Sequence, residues 1–259
     1  MSEPYYSDES VTIYHGDCRE VMADLADDLV DITITSPPYN MGLSPGGNGR
    51  GLYGHTTSKG KRFSQDGYDG ETDALPPEEY DEFLRTTLLD MWRLSRLAVW
   101  WNHRPRIEHG LLKDPLGGVF PLPVGQRIIL ARPTGIDVSL RRFVTRQEHL
   151  YLFAKDGFRL TDHATSGMGD VWPMPIPPKG EHPAPFDLSV PARCIAATAD
   201  VELILDPFCG SGTTLRAAKD AGLRATGIER SERFCEMAAE RCGGPVRVLA
   251  DGFDFGGAA

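Results

Sequence analysis

LILDPFCGSGTTLRAAKDAGLRATGIE, residues 203–229, carries the architecture of this chain. A short apolar run, 203–206, stops at Asp206-Pro207. Gly210 and Gly212 follow, and then a stretch at helical spacing, 213–221, that ends at Gly222. A second short strand, 225–229, ends in Glu229, and 231–241 reads as another helix with Ser231 at its cap position. Strand, helix, strand, helix in this order implies parallel strands with helices on the sheet faces, an α/β protein. Ligands of such sheets bind outside the carboxyl ends of the strands, where 206–212 and Glu229 lie. Glycines let the backbone turn and approach a ligand without a Cβ in the way. An acid about 20 residues after the turn stands where ribose hydroxyls are bound. The turn lacks the full G-x-G-x-x-G and lacks the Gly-Lys-Ser/Thr of a phosphate loop, so a phosphate-free nucleoside fits better than a dinucleotide. Taken alone, it also reads as a plain tight turn.

Towards the N-terminus, 11–14 predicts a strand and 19–25 a helix with Val21, Met22 and Leu25 on one side. VDITIT at 30–35 is rich in β-branched residues and is closed by Pro37-Pro38, the pattern of a buried strand. Residues 40–70 read as a long mobile loop, of a length that is usually functional or disordered. Residues 76–94 predict a helix, with proline near its start, Glu78, Glu79, Asp81 and Glu82 in its first turns, and Phe83, Leu84, Leu88 and Met91 as its apolar stripe. Strands follow at 97–101, 127–130 and 149–153, the last two pairing antiparallel across 132–146. The proline-rich 172–191 predicts no regular structure, and 191–198 a helix. The sequence leaves open whether 11–17 or PVRVLAD at 245–251 lies beside the Glu229 strand, and the first is favoured.

The 259 residues, 41% hydrophobic and 25% charged, suit a single domain over 1–259. No apolar run approaches the roughly 20 residues of a membrane span, and the acidic first ten residues do not resemble a signal peptide. Five cysteines with no CxxC spacing indicate neither a metal site nor a redox motif, and point to a reducing, intracellular setting. The net charge of −10 is unevenly placed: 91–146 holds ten basic residues (Arg93, Arg96, Arg104, Arg106, Lys113, Arg127, Arg132, Arg141, Arg142, Arg146) against Glu108, Asp114 and Asp137. A basic region on an acidic body orients on a polyanion such as DNA, although the same residues also suit solvated helix faces.

Ser36-Pro37-Pro38-Tyr39 follows the VDITIT strand directly. The two prolines remove two backbone donors, so the local main chain offers carbonyls without competing N–H groups. An exocyclic amine donates two hydrogens. Accepting one on the Ser36 hydroxyl and one on a proline carbonyl draws its nitrogen towards tetrahedral geometry and frees its lone pair. Tyr39 offers a flat face for an extruded base. A proline-rich strand end with a packed tyrosine is the alternative.

TSPPYN at 35–40 together with DPFCGSGTT at 206–214 resembles the DNA amino-methyltransferase family, and the order of the two motifs resembles its circularly permuted beta group. The resemblance spans almost the whole chain. It implies a Rossmann-like S-adenosylmethionine-dependent methyltransferase fold, a mostly parallel seven-stranded sheet with one antiparallel strand. The catalytic half is then about 11–156 and the cofactor half about 181–251. It implies Ser36, Pro37, Pro38 and Tyr39 as catalytic. Cofactor contacts would be Asp17, Cys18, Thr35, Asp206, Pro207, Phe208, Cys209, Gly210, Gly212, Thr213, Glu229 and Arg230, with His182 and Phe186 of EHPAPF closing over the methionine end. No metal is implied, and no covalent intermediate, so Cys209 is not a nucleophile. Residues 156–180 are too few for a target-recognition domain. Double-stranded DNA is therefore expected to meet Lys61 and Arg62 of the 40–70 loop and Arg127, Arg132, Arg141, Arg142 and Arg146. A homodimer is compatible with all of this, and a cytoplasmic, prokaryotic or phage-type enzyme is implied. Ser-Pro-Pro-Tyr resembles the cytosine-N4 enzymes and Asp-Pro-Pro-Tyr the adenine-N6 ones, so cytosine is favoured with adenine open. RNA or a protein amide as substrate, and a DNA-binding module with a vestigial cofactor site, are the other readings.

Overall fold

β-branched and aromatic runs closed by Pro, Gly or Asp build one large sheet. In the computed structural model, residues 3–40, 75–108, 111–115, 122–135, 141, 143–175 and 187–244 are described. Five strands lie side by side and parallel: β2 (Val11–His15), β11 (Arg224–Glu229), β10 (Leu203–Asp206), β3 (Val30–Thr35) and β4 (Ser95–His103). β8 (Gln147–Ala154) joins β4 antiparallel, and β7 (Gln126–Ala131) joins β8 antiparallel, with Arg127 opposite Tyr151. These seven match the expected sheet, with β8 its one reversed strand. β2 takes the place beside β11, with His15 opposite Glu229, as the sequence favoured.

Two short edge strands raise the total to nine among the described residues: β1 (Tyr6–Ser7) on β2, and β9 (Val171–Pro173) parallel to β7. β9 corrects the expectation that 172–191 holds no regular structure. As the outermost strand it tolerates Pro173, which cannot donate to a further neighbour. A hairpin of β5 (Arg106–Glu108) and β6 (Leu111–Lys113), and the short helix α3 (His163–Gly167), were not anticipated.

Helices cover both faces. On one, α1 (Cys18–Ala23) and α2 (Pro77–Leu94) bury Met22, Tyr80, Phe83, Leu84, Leu88 and Met91 against Val99 and Trp101 of β4. On the other, α4 (Ser189–Ala197), α5 (Thr213–Asp220) and α6 (Glu232–Gly243) bury Ile195, Leu215 and Ala238 against Ile32, Ile34 and Trp100. Alternation along β3 and β4 feeds the two cores, and each fully buried Leu or Met side chain contributes about 1.5–3 kcal/mol. Glu78 and Glu79 sit in the first turn of α2, where the helix dipole favours acids. Ser231 occupies the N-cap of α6, yet its side chain makes no cap hydrogen bond. Its N–H donates instead to Glu229 Oε1 at 2.8 Å.

Gly212 has φ +80°, and a Cβ there would stand 2.9 Å from Ala238 Cβ and 3.0 Å from Ala238 Cα. It is therefore the close approach of α6 to the start of α5 that requires this glycine. Gly212→Ala is expected to lower stability by about 2–4 kcal/mol, from left-handed strain plus overpacking, in urea unfolding. A loss below about 1 kcal/mol would show that the helices separate to make room.

Candidate active site

Because β2, β11, β10, β3 and β4 are parallel and adjacent, their last residues line one edge in that order. That edge gathers Asp17, Glu229, 206–212, Ser36–Tyr39 and the Asn102-His103 pair. Hydrogen bonds stitch them together. Gly16 N–H donates to Glu229 O at 2.9 Å, and Gly210 N–H to Glu229 Oε2 at 2.9 Å. Thr35 Oγ1 donates to Asp206 Oδ1 at 2.6 Å, immediately before Ser36.

Thr35 and Asp206 were expected to contact a cofactor. The structure buries both and pairs them, tying the end of β3 to the end of β10 across 171 positions of sequence. Burial pushes the Asp206 carboxyl up to about 6, against the hydrogen bonds from Thr35 and Phe208. A carboxyl raised in the folded state contributes stability that is present below its unfolded value, near 4, and lost as pH rises through about 6. Both hydrogen bonds end on Oδ1, which an asparagine keeps. Asp206→Asn is therefore expected to fold at pH 7 at least as stably as the wild type. It should also flatten the fall of about 2–3 kcal/mol between pH 4 and pH 7, measured by denaturant titration at each pH. An unchanged pH slope would place the raised group elsewhere.

Glu229 is largely buried, and burial raises its carboxyl above the ordinary value while the N–H groups of Ser231 and Gly210 oppose the rise. Gly210, at φ +49°, faces open space, and a Cβ there would meet only Phe208 O, at 4.0 Å. Pro207 is buried, and Phe208 is half-buried, edge-on to Phe83 at 5.8 Å between ring centroids. Thr213 is buried, and its hydroxyl accepts from Arg241. Asp17 caps α1 through Arg19 N–H, and its carboxylate pairs with the Arg19 guanidinium at 2.7 Å, which holds it below the usual carboxylate range. Arg230 is exposed, and its carbonyl accepts from His15 Nε2 at 3.0 Å. Cys18 is buried at the start of α1, and burial pushes its thiol up to about 12. The Cys209 thiol is buried and pushed well above its ordinary value, so it is neutral. It packs so closely under Gly227 that a Cβ there would lie 2.8 Å from Cys209 Sγ.

In the loop after β3 the Tyr39 hydroxyl donates to Asn102 Oδ1 at 2.7 Å. The Ser36 hydroxyl lies 2.8 Å from the Tyr39 oxygen and 3.2 Å from the same Oδ1. Asn102 is fully buried, and its Nδ2 donates to His149 O at 3.1 Å, which turns Oδ1 towards Ser36 and Tyr39. The tyrosine proton is committed to the amide oxygen, so the serine proton also points inward. The outward lone pair of Ser36 Oγ is left to accept. Behind the loop, the Tyr80 hydroxyl stands between Pro38 O at 2.5 Å and His103 Nε2 at 2.8 Å. Burial lowers the His103 pKa to about 3, so the ring is neutral, and one side of Tyr39 rests on it with centroids 4.8 Å apart. Asn102, His103 and Tyr80 were missed from the sequence. The detectable signal was an Asn-His pair ending an apolar strand at its carboxyl end.

The basic stretch divides. Arg93 donates to Asp27 and to two carbonyls, Arg96 pairs with Asp31, Arg106 lies buried over the Tyr80 ring and Lys113 pairs with Asp81. These are internal ties. Arg127 is exposed 3.6 Å from Asp114, Arg132 pairs with Glu148, and Arg141 and Arg146 are exposed beyond the end of the sheet. Lys61, Arg62, Arg142, His182, Phe186, the 40–70 loop beyond Asn40 and 245–251 lie outside the described residues.

The seven strands from β2 to β7, parallel except for β8 next to the last of them, with a glycine turn and an acid at neighbouring strand ends, define the S-adenosylmethionine-dependent methyltransferase fold. The DNA methylase family model, of the N6/N4 type, matches residues 30–240, and the chain belongs to that family. Among relatives, the type II methyltransferase M.ScaI of Streptomyces caespitosus is 26% identical over 93% of this chain and 84% of its own length. M.SmaI of Serratia marcescens is 28% identical over 90% of each. Among solved structures, the PvuII DNA methyltransferase, described as cytosine-N4-specific, superposes with a TM-score of 0.69 at 15% identity over 92% of this chain and 88% of that one. A DNA modification methylase of Thermus thermophilus, complexed with S-adenosyl-L-methionine, gives 0.57 at 22% identity over 89% and 92%. At these identities the structural likeness speaks for the fold.

Proposed function

We propose that this DNA methylase transfers a methyl group from S-adenosyl-L-methionine to the exocyclic N4 amine of a cytosine extruded from double-stranded DNA. The observation that carries the reading is the direction of the Ser36–Tyr39–Asn102 hydrogen bonds, which leaves Ser36 Oγ an acceptor.

The residues at the strand ends fit the cofactor. Each Glu229 carboxylate oxygen spends one lone pair on a backbone N–H and keeps another for a pair of ribose hydroxyls. The open side of Gly210 admits a ligand against the main chain. Asp17, Cys18, Phe208 and Arg230, at or just beyond the same strand ends, are the other residues assigned to the cofactor in this reading, while Pro207 is buried in the turn and Cys209 packs under Gly227. When bound, S-adenosyl-L-methionine supplies an electrophilic methyl. Ser36 Oγ and the Pro37 carbonyl accept the two amine hydrogens, freeing the nitrogen lone pair. Tyr39, backed by His103, offers its other face to the base. Tyr80 holds the Pro38 carbonyl and with it the shape of the loop. Catalysis by this route is positioning and electrostatics, with no covalent enzyme intermediate. A serine in place of a carboxylate is the reason for favouring cytosine.

Expressing the protein and sequencing the host DNA with modification detection reports base and context together. N4-methylcytosine at a fixed sequence is the expected result, and N6-methyladenine would overturn the choice of base. Labelled transfer to RNA or protein with none to DNA would overturn the substrate.

A further inference from the structure

The residue most exposed among the large apolar side chains of the described chain is Phe143, at 97%. It stands on the 132–146 connection between β7 and β8. His103, His149 and Ile129 are level across β4, β8 and β7, so this connection leaves the sheet at the same edge as the catalytic loop. Two strand spacings, about 10 Å, separate β7 from β4.

The connection is held at its base. Arg132 N–H donates to Arg146 O at 2.8 Å, and Arg146 Nε donates to Arg132 O at 3.1 Å. Its two limbs touch: a Cβ on Gly135 would lie 2.6 Å from Thr145 O and 2.7 Å from Val144 Cγ1. Phe143 therefore sits on a braced stalk. The charged residues among the described part of the connection are Arg132, Arg141 and Arg146, all basic. An apolar ring flanked by cations suits a polyanion with an apolar interior, the stacked bases of a duplex, better than it suits an apolar protein groove. Enzymes that extrude a base leave a gap in the stack, and proteins that kink DNA fill such gaps with apolar side chains.

We propose that Phe143 enters the base stack and occupies the space left by the extruded target base, with Arg141 and Arg146 on the flanking phosphates. This rests on duplex DNA being the substrate. The test uses the sequence found methylated in the host, as two duplexes: one fully paired, and one with an abasic site opposite the target base, which lowers the cost of extrusion. Phe143→Ala is expected to lower kcat/KM about tenfold or more on the paired duplex and to return to within about threefold of wild type on the abasic one. Its cofactor affinity should not change. Phe143→Leu, which keeps an apolar wedge, is expected to lie between. Equal activity of wild type and Phe143→Ala on the paired duplex would overturn the proposal, and so would equal impairment on both duplexes. If the wild type methylates neither duplex, it is the DNA reading itself that fails.

Discussion

Ser36→Ala is expected to bind cofactor as the wild type does and to transfer methyl about 10²–10³-fold more slowly, the cost of deleting one preorganised hydrogen-bonding group at the proposed reacting centre. The asymmetry follows from the geometry. Ser36 belongs to the β3 end, while Gly210 and Glu229 belong to the β10 and β11 ends, and the link between them runs through Thr35 and Asp206, which the substitution leaves in place. Ser36 is only half-buried, so losing its bond to Tyr39 costs folding about 1 kcal/mol. Cofactor titration and single-turnover transfer measured side by side separate the two effects. Near-normal turnover would remove Ser36 from the mechanism.

Asn102→Leu is expected to damage both folding and transfer. Leucine fills almost the same volume, so no cavity arises, and the loss is polar. The buried amide accepts from Tyr39 and Ser36 and donates to His149 O, and leucine leaves all three without it. The buried carbonyl and the two half-buried hydroxyls together cost about 2–4 kcal/mol in denaturant unfolding. Without Oδ1 to collect the two protons, the serine hydroxyl is free to turn outward and present a hydrogen where an acceptor is needed. A misplacement of this kind is worth about 10–10²-fold in the transfer rate. Asn102→Asp keeps the acceptor and is expected to retain more activity than the leucine variant. Equal losses for the two would show that the amide acts through packing alone.

Much of this protein is legible along the chain. VDITIT closed by two prolines is β3 as expected, and the strand–turn–helix at 203–220 falls within a residue or two of β10 and α5. Both are local patterns, set by β-branching, by proline stops and by glycine at positive φ. Less legible was the work of individual residues within those patterns. Gly210 and Gly212 look equivalent in sequence, yet one faces open space and the other faces α6. The ten cations of 91–146 read as one basic region. Arg93, Arg96, Arg106 and Lys113 turn out to tie elements together, because their partners Asp27, Asp31, Tyr80 and Asp81 lie on strands, helices and turns whose approach the charge pattern does not encode.

The longer strands and helices, the α/β class and the two motifs are written in the chain itself, because each depends on residues within a few positions of one another. The order of the strands belongs to the folded molecule. Hydrogen bonds between β-strands are indifferent to distance along the chain, so β10 could come to lie beside β3 and bring Asp206 to Thr35. The same freedom placed Asn102, 66 residues on, where its amide decides which way the Ser36 proton points.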